Sequence, residues 1–89
     1  MPGFVLLVRN RGDDDAQMRV GFTVTRKIGN AVVRNRMKRR LRALARDTLP
    51  EYGVVGADHV LIGRAGGIER EYSSLASELK RALKKISAL

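Results

Sequence analysis

Residues Arg34 to Arg42, Arg-Asn-Arg-Met-Lys-Arg-Arg-Leu-Arg, carry six cationic side chains and no acidic one. Guanidinium and ammonium groups at that density suit phosphate, because each phosphate neutralised releases condensed counterions and arginine offers a planar fork of donors. The block belongs to a wider asymmetry. From Ala16 to Arg46 there are ten Lys/Arg and no Asp/Glu, whereas the rest of the chain holds eight bases and nine acids. The formal charge of +9 thus originates in about one third of the 89 residues. A concentrated block of one sign points to a polyanionic partner, since solubility alone is better served by mixed signs.

Other residue types that could do chemistry stand in poorer contexts. Asp13-Asp14-Asp15 offers oxygen ligands for a hard cation, but three consecutive side chains in a turn do not converge, and a solvated turn is the expectation. His59, the only histidine, has no cysteine or aspartate partner at ligand spacing and is expected as a surface or packed strand residue. Gly63-Arg-Ala-Gly66-Gly67 lacks the lysine and following Ser/Thr of a phosphate-binding P-loop. No Ser/His/Asp set or carboxylate pair stands in a convincing context, so no catalytic and no metal-binding residue is assigned. There is no cysteine, which excludes disulfides and thiolate metal sites and fits a reducing cytoplasm best. The longest apolar run, Phe4 to Val8, is too short to span a bilayer. The expectation is a soluble cytoplasmic chain with no leader and no membrane partner.

The elements that must position the cationic block can be read from periodicity. Phe4 to Val8 reads as a strand, and Asn10 to Asp15 as a turn. Met18, Val20, Phe22 and Val24 alternate with polar or small residues, the two-residue period of a strand with one buried face. These two strands are expected to pair as an antiparallel hairpin. Asn30 can cap a helix running from about Ala31 to Asp47, ahead of Pro50 and Gly53. At 100° per residue, Val33, Met37, Leu41 and Leu44 share one stripe, while Asn35, Arg39, Arg42 and Arg46 share the opposite one. Arg34 and Lys38 flank it on one side, Arg36 and Arg40 on the other. Repulsions at i,i+4, such as Arg34 with Lys38, each weaken an isolated helix by a few tenths of a kcal/mol, roughly, and an external polyanion offsets them. Asp58 to Gly63 reads as a third strand and Arg64 to Arg70 as a loop. Leu75, Leu79, Ala82, Leu83 and Ile86 mark an amphipathic helix capped by Ser73 or Ser74, with Lys80, Arg81, Lys84 and Lys85 complementing its dipole. The order strand, strand, helix, strand, helix predicts a single α+β two-layer sandwich with a small, mainly antiparallel sheet.

Arg26-Lys-Ile-Gly-Asn-Ala-Val-Val-Arg-Asn-Arg-Met-Lys-Arg-Arg-Leu-Arg42 resembles the signature of the bacterial ribonuclease P protein subunit, in which a strand ending in a basic pair runs through Gly-Asn-Ala-Val into an Arg-Asn-Arg helix. Arg19 to Val24 and Asp58 to Arg64 are also similar to segments of that family, and the resemblance extends from Phe4 to the C-terminus. It implies a protein that binds a catalytic RNA and the 5′ leader of precursor tRNA, the RNA performing the hydrolysis and its phosphates holding Mg2+. It also implies a left-handed strand–helix–strand crossover and similarity to a domain of ribosomal proteins, where general physics favours the right-handed form.

On this chain the family's helix motif falls on Arg34, Asn35, Arg36, Lys38, Arg39 and Arg42, and Arg26 with Lys27 matches the basic pair. All are expected to contact RNA, and Arg40 and Arg46 join them by the wheel alone. The cleft that takes the single-stranded leader in the family corresponds to alternate residues Val5 and Leu7. Many relatives carry an aromatic where Leu7 stands, which here removes one stacking platform. The family's usual N-terminal basic helix and short strand are also missing before Phe4, so the chain is similar to an N-terminally short form. Two other readings of the same charge are a ribosomal-type or nucleoid polyanion binder without a catalytic partner, and a self-sufficient nuclease built on His59 or the Asp13 to Asp15 cluster.

Overall fold

The computed structural model describes residues 3–12 and 15–87, so Asp13 and Asp14 of the acidic turn lie outside the described residues. Three strands, β1 (Phe4–Asn10), β2 (Arg19–Thr23) and β3 (Ala57–Gly63), and two α-helices, α1 (Ala31–Tyr52) and α2 (Tyr72–Ser87), form an α+β sandwich. Short 3-10 turns at Arg26–Ile28 and Ala65–Gly67 precede the two helices.

β1 and β2 do not form the expected hairpin. The sheet order is β1-β3-β2, with β3 antiparallel to β1 and parallel to β2. Adjacency in sequence favours pairing, but β3 has apolar residues on both faces and is the natural centre of the sheet. The parallel β2–β3 pair requires a long crossover, and α1 provides it. Beyond β1 the chain enters a loop closed across the end of β3. Arg11 N donates to Gly56 O, Gly56 N donates to Ala16 O, and the Arg11 guanidinium bridges Asp58 Oδ1 at 3.0 Å and the Asp15 carbonyl at 3.1 Å.

Phe4, Leu6, Val8, Phe22 and Leu61 face the helices, meeting Met37, Leu41 and Leu44 of α1 and Leu75, Leu79 and Leu83 of α2. The stripe on α1 continues beyond the expected end. Thr48 and Leu49 are buried, Pro50 lies inside the helix, and Gly53 N donates to Leu49 O at 2.8 Å. Proline removes only the amide that would have bonded the Arg46 carbonyl, and burial of the last turn carries the helix past it. Val20, expected to be buried, remains 40% exposed. α2 starts at Tyr72, so Ser73 and Ser74 sit inside its first turn, and Leu75 N donates to Glu71 O. Lys80 and Lys84 each lie 5.5 Å from the centre of the Tyr52 ring, tying the ends of the two helices together.

Candidate nucleic-acid interface

The turn into α1 shows why the cationic block opens with Gly-Asn. Gly29 has φ 155°, and a Cβ there would come within 3.0 Å of the Val33 side chain, so a larger residue is disfavoured twice. Asn30 Oδ1 accepts the Val33 amide at 3.1 Å and caps the helix. Arg26 and Lys27 occupy the exposed 3-10 turn just before this cap.

Anchored on that cap, α1 separates its faces as its period dictates. Met37, Leu41 and Leu44 are buried, while Asn35, Arg36, Arg39, Arg42 and Arg46 are exposed. Arg34 and Lys38 are half-buried on the flank. Asn35, Lys38, Arg39 and Arg42, with the exposed Val32, line a cavity of about 510 Å³ on the outer surface of the helix. Among the described residues, Arg46 is the only cation of this face with a carboxylate partner, its Nε lying 3.4 Å from Asp47 Oδ1. Asp47 is itself engaged by Tyr72, whose hydroxyl donates to Oδ2 at 2.6 Å. That hydrogen bond holds the Asp47 carboxyl below the usual carboxylate range. Partial burial, with the bond to Asp47, pushes the Tyr72 hydroxyl up to about 12.

Arg40 has a different environment from its neighbours. Its guanidinium donates to the Arg70 carbonyl just before α2, and the residue is half-buried. On the wheel it lies closer to the apolar stripe than Arg39 or Arg42 does, which brings it to the α2 side of the helix. Its partner Arg70 meets Glu78 Oε1 at 2.6 Å.

Val5 and Leu7 lie elsewhere. They alternate with the core-facing Phe4, Leu6 and Val8 and pair with Ile62 and Val60 on the sheet face turned away from the helices. Leu7 is 53% exposed there, and Gly21 and Thr23 of β2 continue the row. The fold therefore gathers the α1 residues on one surface and sets Val5 and Leu7 on another, across the sheet.

His59 is a buried strand residue with both ring nitrogens engaged. It is 1% exposed, its Nε2 accepts the Val54 amide at 3.0 Å, and its Nδ1 lies 3.1 Å from the Arg19 carbonyl. The first bond requires an unprotonated Nε2, so Nδ1 carries the proton and donates to Arg19. Among the described residues there is no group of three or more His/Cys/Asp/Glu able to hold a metal ion. No helix among them is long and apolar enough to cross a membrane.

Sequence reasoning missed a groove of about 420 Å³ between β2 and the C-terminal half of α1, floored by Val20, Phe22, Ala45, Leu49 and Pro50. Treating Pro50 as the end of the helix concealed it.

A one-sided cationic helix on a three-stranded sheet defines a small α+β protein with one strongly basic surface. Comparison with known proteins gives that class its family. The ribonuclease P family profile matches residues 1–87. The ribonuclease P protein component of Erythrobacter litoralis is 56% identical over 85 residues, covering 94% of this chain and 68% of that protein. The ribonuclease P protein of Thermotoga maritima superposes with a TM-score of 0.76 at 31% identity, over 93% of this chain and 76% of that one. That of Staphylococcus aureus gives a TM-score of 0.75 at 27% identity, over 97% and 76%. The chain belongs to the ribonuclease P protein family, whose members are protein components of the ribonucleoprotein that matures the 5′ end of tRNA.

Proposed function

We propose that this chain acts as one RNA-binding domain that docks the catalytic RNA of ribonuclease P on the outer face of α1 and guides the 5′ leader of precursor tRNA along the open sheet face. The observation that carries the proposal is the partition of α1. Its apolar stripe is consumed by the core, while Asn35, Arg36, Arg39 and Arg42 stay exposed and, among the described residues, meet no carboxylate. Arg34 and Lys38 extend this surface along one flank, Arg26 and Lys27 extend it past the helix start, and Arg46 prolongs it toward the C-terminal half. Arg40 contributes charge to the same region while it braces α2.

Phosphate contacts of this kind position an RNA without reading its sequence. Val5 and Leu7, with Val60 and Ile62, offer the leader an apolar platform for bases. In this reading the RNA carries out the hydrolysis. Mg2+ bound to its phosphates supplies Lewis acidity and a nucleophilic water. The cytoplasm, where precursor tRNA is processed, is the proposed site of action.

A competition measurement tests the RNA preference. Binding of the catalytic RNA is expected to survive a large excess of duplex DNA at a fixed, moderate salt concentration. Equal displacement by the duplex would mark a general polyanion binder instead.

A further inference from the structure

We propose that the groove between β2 and the C-terminal half of α1 receives one unstacked nucleobase of a bound RNA strand, whose flanking phosphates rest on Arg42 and Arg46. This rests on the proposed RNA-binding role of α1 and extends it from backbone contact to the binding of a base.

Three features of the groove converge on that occupant. Its volume of about 420 Å³ lies within the roughly 300–1,000 Å³ range of small-ligand pockets and readily admits a planar base. Its floor is apolar, with Val20 left 40% exposed opposite Ala45 and Leu49, so a flat π-face would cover surface that the fold leaves wet. Its lining residues include three arginines, Arg19, Arg42 and Arg46, and no acid. An uncharged apolar segment would cover the floor but leave those cations unmatched, whereas a nucleotide supplies a base for the floor and phosphates for the rim. Arg42 also lines the outer cavity with Lys38 and Arg39, so a strand on the helix face passes the mouth of the groove.

β2 adds polar groups. It is an edge strand, and its outer backbone N–H and C=O groups lack a neighbouring strand among the described residues. They stand beside the floor, where the hydrogen-bonding edge of a base would emerge. His59 fixes this edge from behind by donating to the Arg19 carbonyl. Val20 faces the helices, on the opposite side of the sheet from Val5 and Leu7, so the two apolar surfaces can be tested separately.

The test compares a single-stranded 12-nucleotide RNA with a fully abasic strand of the same length, by fluorescence anisotropy on the full chain. The base-bearing strand is expected to bind at least about ten-fold more tightly. Val20→Asn is expected to lower that ratio several-fold, the remainder coming from the platform at Val5 and Leu7, whereas Arg39→Ala weakens both strands and preserves it. A ratio near one in the wild type, or a ratio unchanged in Val20→Asn, overturns the groove and leaves the cationic face standing. Failure of both strands to bind overturns the groove and the cationic face together. A second readout needs no variant. Adenosine 5′-monophosphate is expected to shift the methyl resonances of Val20, Ala45 and Leu49, and ribose 5-phosphate is not; equal or absent shifts would refute the base site.

Discussion

His59 and Arg19 are joined by a hydrogen bond from the imidazole Nδ1 to the strand carbonyl, 3.1 Å long, in a residue whose other nitrogen accepts the Val54 amide. One side chain thereby links the edge strand β2 to the turn that leads into β3. Removing it strands a buried acceptor and a backbone donor, each costing about 1–3 kcal/mol. His59→Ala is expected to lower unfolding stability by about 2–4 kcal/mol in urea titration. The Val54 amide should also lose protection from hydrogen exchange. Under the proposed docking role, the folded variant is expected to support cleavage by the catalytic RNA at the wild-type rate, and a loss of cleavage without loss of RNA binding would contradict that expectation.

Arg39 and Arg40 are neighbours in sequence with opposite expected roles. Arg40 donates to the Arg70 carbonyl, whereas Arg39 is exposed on the outer face of α1. Arg40→Ala is expected to cost about 1–2 kcal/mol of stability, and Arg39→Ala less than about 0.5 kcal/mol. Thermal denaturation of the two variants side by side distinguishes them.

Leu41 and Arg42 extend the same contrast across the helix. Leu41 is 0% exposed among core residues, so Leu41→Ala should destabilise by about 2–5 kcal/mol through the cavity it leaves. Arg42→Ala should leave stability nearly unchanged and reduce the salt dependence of RNA binding. The slope of log affinity against log salt should fall by about 0.7–0.9 if one phosphate contact is lost. An unchanged slope with unchanged affinity would remove Arg42 from the interface.

The Tyr72 to Asp47 bond gives a pH dependence of known sign. The Tyr72 hydroxyl is raised from 10.0 to about 12 in the fold. The stability it contributes is complete below pH 10 and is lost as pH rises through about 12. Asp47 is shifted the other way, so its contribution is present above its unfolded value of 3.8 and is lost on acidification through the lower folded value. Tyr72→Phe is expected to flatten both the alkaline and the acid limbs of the melting-temperature profile. Limbs that coincide with those of the wild type would show that the bond contributes nothing in solution.

Much of the candidate interface was legible because it depends on a local period. The spacing of Met37, Leu41 and Leu44 is enough to place Arg39 and Arg42 outward, and Asn30 announces the helix start. Strand order was not legible, because the position of β3 between β1 and β2 is decided by long-range pairing rather than by any pattern within β1 or β2. Pro50 misled in the same way, since burial of Thr48 and Leu49 outweighs the single lost hydrogen bond. Arg11 carried no recognisable signal as a loop pin, because its partners Asp58 and the Asp15 carbonyl come together only in the fold. The wheel set Arg40 with Arg36 on a flank of the cationic face, and the Arg70 carbonyl that engages it belongs to a distant loop that no helical period reveals.

The most direct test of the central claim is multiple-turnover cleavage of precursor tRNA at low magnesium with the catalytic RNA alone, this protein alone, and the two together. Cleavage is expected to be stimulated only in the mixture, and the stimulation to fall when Arg39 and Arg42 are both replaced by alanine. Turnover that stays constant across a titration with folded protein, or cleavage by the protein alone, would contradict the account.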